Sequence, residues 1–287
     1  MPNLTLVRKR DPSSFRMIAL GTWRTAKDPS VYGSLQIPMD ETLRYIQAFR
    51  EQTGKRLTVT HLMARVMGAV LEETPDANAI LRLHRIYVRT DISVFFQVVM
   101  TDPETGQVDL SGVTIREPQQ KTLLTIVDEF ERAANRVRRG QDAEKEQTRQ
   151  TFKQLPGWIV GPILDLISLL SYGLNLDLSR FGVPKDVFGS CMVTNVGSLG
   201  LHTAYAPLVP YSRVPLLLAM GAVEKVPVVV SDDDGVDRVT VQQRMGLHAT
   251  FDHRILDGAH AAKMSKVISE WFGDPWSHFD PIERPTP

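Results

Sequence analysis

The chain reads as an α/β (α+β) two-layer sandwich, a mixed sheet covered by helices, and three observations point to it. Apolar residues recur at helical spacing over 60–73, 122–137 and 259–272. Short runs rich in β-formers at 86–88, 92–100, 226–230 and 236–241 fall between those segments. The near-continuous apolar run 214–223 is the pattern of a strand covered on both faces. With 287 residues and 43% hydrophobic content the chain is long enough for one large core, so 1–287 reads as a single domain.

Each element has a local reason. Residues 1–16 are polar and form an arm, and 34–39 a short strand. Asp40 then caps a helix whose Leu43, Ile46 and Phe49 share a face. In the second helix, 60–73, Leu62, Val66, Ala69 and Val70 line up, and Pro75 lies just past the end. Strands follow at 86–88 and 92–100, and Pro103 and Gly106 mark a turn across 101–107. The third helix, 122–137, is apolar at Leu123, Ile126, Val127 and Phe130. Residues 138–150 are charge-dense without apolar periodicity, a solvated linker or helix face. A strand at 188–193 leads into Thr194-Asn195-Val196-Gly197. The runs 226–230 and 236–241 flank Asp232-Asp233-Asp234-Gly235 as a hairpin, and 248–253 is the last strand. The last helix, 259–272, is apolar at Ala261, Met264, Ile268 and Trp271.

Composition narrows the function. Lys and Arg number 33, as do Asp and Glu, so no basic excess marks a nucleic-acid or acidic-membrane partner. The single cysteine, Cys191, leaves no internal disulfide and no cysteine cluster for a metal, and a reducing, cytoplasmic compartment is expected. The N-terminal residues lack a signal-peptide core. The longest apolar stretch, 155–176, holds Pro156, Pro162, Asp165 and Gly173. A membrane span needs about 20 predominantly apolar residues, so a packed helix pair or an interfacial helix is expected there. His61, His84, His202, His248, His260 and His278 show no metal-ligand spacing.

One constellation carries chemistry. His253, Asp257 and Gly258 form an H-x-x-x-D-G pattern between a strand-like and a helix-like run. A histidine at a strand end is fixed by the sheet yet reachable, and it titrates near neutrality, which suits a general base. Asp257 falls at the N-cap of the last helix, and Gly258 follows where unusual dihedrals are tolerated. Spacing alone also fits a plainer reading, in which Asp257 only caps the helix and His253 is a satisfied core histidine.

The flanking residues add a resemblance. Asp252-His253-Arg254-Ile255-Leu256-Asp257-Gly258-Ala259 resembles the D-H-R-x-x-D-G-A signature of dihydrolipoyl acyltransferases, the core subunits of 2-oxo acid dehydrogenase complexes. Residues 192–200 are similar to that family's T-x-S-N-x-G-x-x-G segment, and 57–78 to its segment ending P-x-x-N. The resemblance covers most of the chain and implies a chloramphenicol acetyltransferase-like fold. It implies transfer of an acyl group between coenzyme A, as substrate, and the thiol of dihydrolipoamide. His253 would take the thiol proton, Thr194 would donate its hydroxyl to the oxyanion, Asn195 and Gly197 would serve coenzyme A, and Asp257 would orient the loop through an arginine, with Arg16 the loose match and Arg254 the nearer one. It further implies a homotrimer whose sites take the histidine from one chain and the hydroxyl from its neighbour.

Three departures from the family pattern qualify this. Residues 1–16 leave no room for a lipoyl domain, so a lipoylated carrier protein is expected only in trans. Residues 140–187 form an apolar insertion, read as a pad within the oligomer ahead of an acyl-binding lid or a membrane-surface helix. The tail 280–287 is polar and proline-rich, unlike the apolar tail that docks family cages, so a free trimer is expected. A catalytically silent scaffold and a small-molecule O-acetyltransferase are the alternatives. The intact D-H-R-x-x-D-G favours an enzyme, and Asp252, where the O-acetyltransferase signature carries a second histidine, counts against the last.

Overall fold

The computed structural model describes residues 2–10, 28–101, 108–138, 156–232 and 234–285. Its strands are β1 (Leu6–Arg8), β2 (Ser30–Pro38), β3 (Ala79–Arg82), β4 (Arg85–Arg89), β5 (Ser93–Thr101), β6 (Val108–Arg116), β7 (Cys191–Asn195), β8 (Leu216–Ser231) and β9 (Asp237–Asp252). The principal helices are α1 (Asp40–Thr53), α2 (Val59–Glu73), α3 (Leu123–Arg138), α4 (Gly157–Ser168) and α5 (Gly258–Gly273). Six strands form a mixed sheet in the order β2-β9-β8-β7-β5-β6, and β1, β4 and β3 form a small sheet beside it. Strand β7 runs parallel to β5 and β8; the other pairs are antiparallel.

The two layers follow from strand alternation. Leu216, Leu218 and Met220 of β8, Val193 of β7 and Leu247 and Phe251 of β9 face α1, α2, α3 and α5 in one continuous core. Fully buried Phe49, Phe96 and Phe272 lie in it, and each such side chain stabilises by about 1.5–3 kcal/mol. Leu217 and Met192 point to the other face, where Ala206, Leu208 and Val209 cover them. Cover on both faces explains the unbroken apolar run in β8.

The expected helices form, with α1, α2 and α5 starting a residue or two from the expected bounds. Three local expectations need correction. The N-cap of α1 is Met39, not Asp40. Met39 N–H donates to Gln243 O at 2.8 Å, so the β2–β9 ladder carries on to Met39 and leaves Asp40 as the first helical residue. The four segments expected around 214–253 are two long strands, because nothing breaks β8 at its bulge between Met220 and Val223 and β9 keeps pairing beside it. The strand at 188–193 starts later, at Cys191. Gly189 has φ 60° and lies so close to Ser93 O that an added Cβ would sit 2.7 Å from it, so the chain is still turning there. The turn expected at 101–107 and the linker at 138–150 lie almost wholly outside the described residues.

Helix α4 runs into a π-turn, Leu169–Gly173, which packs on the small sheet. Asn3 Nδ2 donates to Ser171 O (3.2 Å), Arg82 Nε to Gly173 O (2.6 Å) and Arg213 Nε to Ser168 Oγ (2.9 Å). Leu4, Ile80 and Tyr172 form a separate apolar cluster there. Just beyond, Arg89 makes a bidentate pair with Asp186 at 2.7 and 3.0 Å, both side chains buried. Leu166 and Phe181 stay exposed, at 54% and 82%. Among the described residues no helix is long and apolar enough to cross a membrane.

Candidate active site

The turn after β9 is built from its backbone. Ile255 and Leu256 N–H both donate to Asp252 O at 2.9 Å, and both side chains are buried in the core. The Asp252 carboxylate is taken by Arg254, at 2.6 Å from Nη2, so Arg254 orients Asp252 and not Asp257. Arg16 lies outside the described residues. His253 sits in this turn, half-buried, with its N–H on Pro29 O at 2.9 Å. Its Nδ1 lies 2.8 Å from Leu256 O. A carbonyl oxygen only accepts, so Nδ1 carries a proton, and in the neutral ring the basic lone pair falls on Nε2.

Asp257 caps α5 as expected: Oδ1 accepts from Ala259 N (3.1 Å) and His260 N (3.2 Å). Gly258 is the first helical residue, has no positive φ, and an added Cβ would meet nothing within 4 Å, so no special dihedral requires glycine there. His260, at the third helical position, places Nδ1 2.6 Å from Asp257 Oδ1 and Nε2 3.2 Å from Asp76 Oδ2. Lys9 Nζ reaches the same Asp76 oxygen at 2.5 Å. Burial pushes the Asp76 carboxyl up, but the hydrogen bonds from Lys9 and His260 outweigh it and hold it below the ordinary range.

Thr194 and Asn195 close β7 and point to opposite faces. Asn195 Nδ2 donates to Thr60 Oγ1 on α2 at 3.1 Å, and its Oδ1 accepts Ser198 N–H at 3.0 Å, capping the 3₁₀ turn Val196–Leu199. Gly197 lies against β8: a Cβ there would stand 2.5 Å from Gly221 C and O, so packing alone demands glycine. Gly200 closes the turn at φ 79°. Thr194 lies on the outer face, opposite Ala219 of β8, which is opposite His248 of β9.

That register separates the two halves of the site. His253 lies five residues beyond His248, roughly 16 Å along the strand, and β9 is two strands, roughly 10 Å, from β7. His253, Asp257 and the Leu256 carbonyl come together at one end; Thr194, Asn195 and Gly197 come together at another. Cys191 takes no part: it is fully buried, and burial pushes its thiol up to about 12. Sequence reading missed Asp76 and His260. A histidine three after an N-cap aspartate is the trace of the cap, but its outer partner is distant in the chain.

This fold and site define an acyltransferase-type catalytic domain. The chain matches the model of the family described as 2-oxoacid dehydrogenases acyltransferase (catalytic domain) over residues 18–153 and 184–279, and it belongs to that family. It is 22% identical over 225 residues to the dihydrolipoyllysine-residue acetyltransferase component of the acetoin cleaving system of Bacillus subtilis, covering 78% of this chain and 44% of that protein. To the corresponding component of the pyruvate dehydrogenase complex of Corynebacterium glutamicum it is 35% identical over 88 residues, 30% of this chain and 13% of that one. The chain thus spans less than half the length of these curated relatives.

Two solved structures share the fold. One is the probable dihydrolipoamide acetyltransferase of Listeria monocytogenes (TM-score 0.61, 18% identity, 93% of this chain and 94% of that one). The other is the dihydrolipoamide acetyltransferase of Azotobacter vinelandii (TM-score 0.62, 19% identity, 94% and 99%), studied for the role of a serine, a histidine and an asparagine in its catalytic mechanism.

Proposed function

We propose that this protein is a coenzyme A-dependent acyltransferase that moves an acyl group between coenzyme A and a thiol such as dihydrolipoamide. The observation that carries this reading is the His253 ring, whose Nδ1 proton is held by Leu256 O, which in the neutral ring puts the basic lone pair on Nε2. Nε2 takes the thiol proton. A free thiol ionises near 8.5, so a positioned base brings thiolate attack within reach near neutral pH. The sulfur adds to the thioester carbonyl, the C–O π electrons become an oxyanion, and the Thr194 hydroxyl donates to it. Collapse expels the other sulfur as thiolate, which recovers the proton from His253. Asn195 and Gly197 serve coenzyme A by fixing the 196–200 turn that follows Thr194. Asp257 holds the start of α5, and with it the turn that carries His253.

In this reading the site forms between copies of the chain, because Thr194 and His253 cannot meet within one. A homotrimer closes it, with the histidine of one copy facing the threonine of the next. The outer halves of β8 and β9 support this assembly. Beyond Val226 and Gln242, among the described residues, they pair only with each other, and Val229, Val239 and Val241 share one exposed face (66%, 73% and 69%). Residues 140–187 are an insertion, read as a pad within the oligomer, and its Leu166 and Leu169 are exposed. The setting is cytoplasmic.

The test is acyl transfer from a panel of acyl-coenzyme A thioesters to dihydrolipoamide, native protein against His253→Ala. Transfer that vanishes in the variant is expected. No transfer from any donor by folded native protein would sink the reading.

A further inference from the structure

The contact between α5 and the end of α2 does more than close a helix. His260 bridges two carboxylates, Asp257 on Nδ1 at 2.6 Å and Asp76 on Nε2 at 3.2 Å. Asp76 lies in the 3₁₀ turn Pro75–Ala77 that ends α2, and Lys9 braces it from the N-terminal arm. One turn further along α5, Lys263 Nζ donates to Glu73 O. The first two turns of α5 are therefore clamped to the C-terminal end of α2 at two points. On its inner side the clamp ends at Asp257, the residue next to Leu256, and the Leu256 carbonyl holds the His253 ring.

We infer that Asp76 and His260 are positioning residues for the His253 turn, acting through Asp257 to set where the Leu256 carbonyl, and so the imidazole, stands. This rests on the acyltransferase reading. A helix cap needs only the inner half of the contact, between His260 and Asp257. The outer half, to a carboxylate nearly two hundred residues away, adds nothing to capping. It fixes the height and rotation of α5 against α2, and with them the turn that α5 begins. Burial pushes the Asp76 carboxyl up, but its hydrogen bonds with Lys9 and His260 hold it below the ordinary range, so the outer partner of the clamp is a carboxylate.

The experiment compares Asp76→Ala, Asp76→Glu and His260→Gln with the native protein. It reads kcat and KM for both substrates, the ¹⁵N imidazole signals of His253, and the thermal midpoint. A displacement of about 1 Å can cost about 100-fold in rate, so Asp76→Ala is expected to lower kcat about 10- to 100-fold with KM little changed. The His253 nitrogen signals should move towards a mixture of tautomers, and Asp76→Glu should recover part of both effects. A lowered thermal midpoint with unchanged kcat and unchanged His253 signals would overturn the proposal and leave a mere helix clamp. If Asp76→Ala does not fold, His260→Gln, which keeps a capping side chain at the third position, answers the same question. The nitrogen signals need no turnover. Native protein without transferase activity would therefore refute the acyltransferase reading, while the signals still decide the positioning role.

Discussion

Thr194 lies in β7 and His253 directly follows β9, two strands away and five residues out of register. A site that uses both must draw them from different copies. Co-assembly of Thr194→Val subunits with His253→Ala subunits should therefore regain activity that neither variant has alone. Some interfaces then join an intact threonine to an intact histidine; random mixing of equal amounts gives about a quarter of native sites. Refolded mixtures assayed for acyl transfer check this, and no recovery in verified mixed oligomers rules out the shared site.

The Thr194 hydroxyl is separable from the shape of its side chain. Thr194→Val removes only the donor and should lower kcat about 10²–10³-fold, the effect of deleting one oxyanion donor. Thr194→Ser keeps the donor and should stay near the native rate. Equal loss in both variants would assign Thr194 to packing.

His61 gives the fold an acid-sensitive point. Its ring is buried at the start of α2, where Thr58 N–H donates to Nδ1 at 3.1 Å. Burial pushes the imidazole down to about 4, and the charges of Arg50 and Arg56 add to the effect. An unfolded histidine binds its proton near 6.5, so between these values the unfolded state holds more protons and stability falls with pH. The full loss is about 3 kcal/mol, complete near pH 4. Urea unfolding at pH 7 and pH 4.5 measures it. His61→Gln, which keeps a side chain able to accept at the cap, should flatten the slope over that window.

Asp186→Ala should cost about 3–5 kcal/mol, because it strands the buried Arg89 guanidinium without its partner. Replacing both residues with apolar ones should recover most of that loss. A single-variant change below about 1 kcal/mol in urea unfolding would show that water reaches the pair.

Val239→Lys places a charge in the exposed valine face of the β8–β9 arm. Native protein at micromolar concentration should sediment as a trimer and the variant as a monomer. A trimer in both would move the interface elsewhere.

The helices were legible because their apolar faces repeat every three to four residues, and the His253 turn because its residues are contiguous. Asp257 as a cap was legible for the same reason. Other features depend on register. Gly197 needs glycine because of Gly221, and only the β7–β8 pairing brings them together. The bulge at Gly221 and Ala222 leaves no mark in composition, so β8 read as two strands. Asp40 looked like a cap until the Met39–Gln243 bond extended the ladder by one residue. Asp76 and His260 were hidden by distance, and by a capping pattern in which histidine stands where glutamate or glutamine is the usual sign.

The order of the sheet also fixes a timetable. Among the described residues strand β2 is an edge strand paired with β9 alone, with Pro38 opposite Arg244 and Ser30 opposite Asp252. At about 5–20 residues per second, roughly 10–40 s separate the emergence of β2 from the ribosome and that of its partner. Through that interval β2 has no ladder, and the layer it completes stays open. A strand translated some two hundred residues later thus seals the first strand of the sheet, and a nascent chain stalled before β9 is left for the cell's chaperones and proteases to handle.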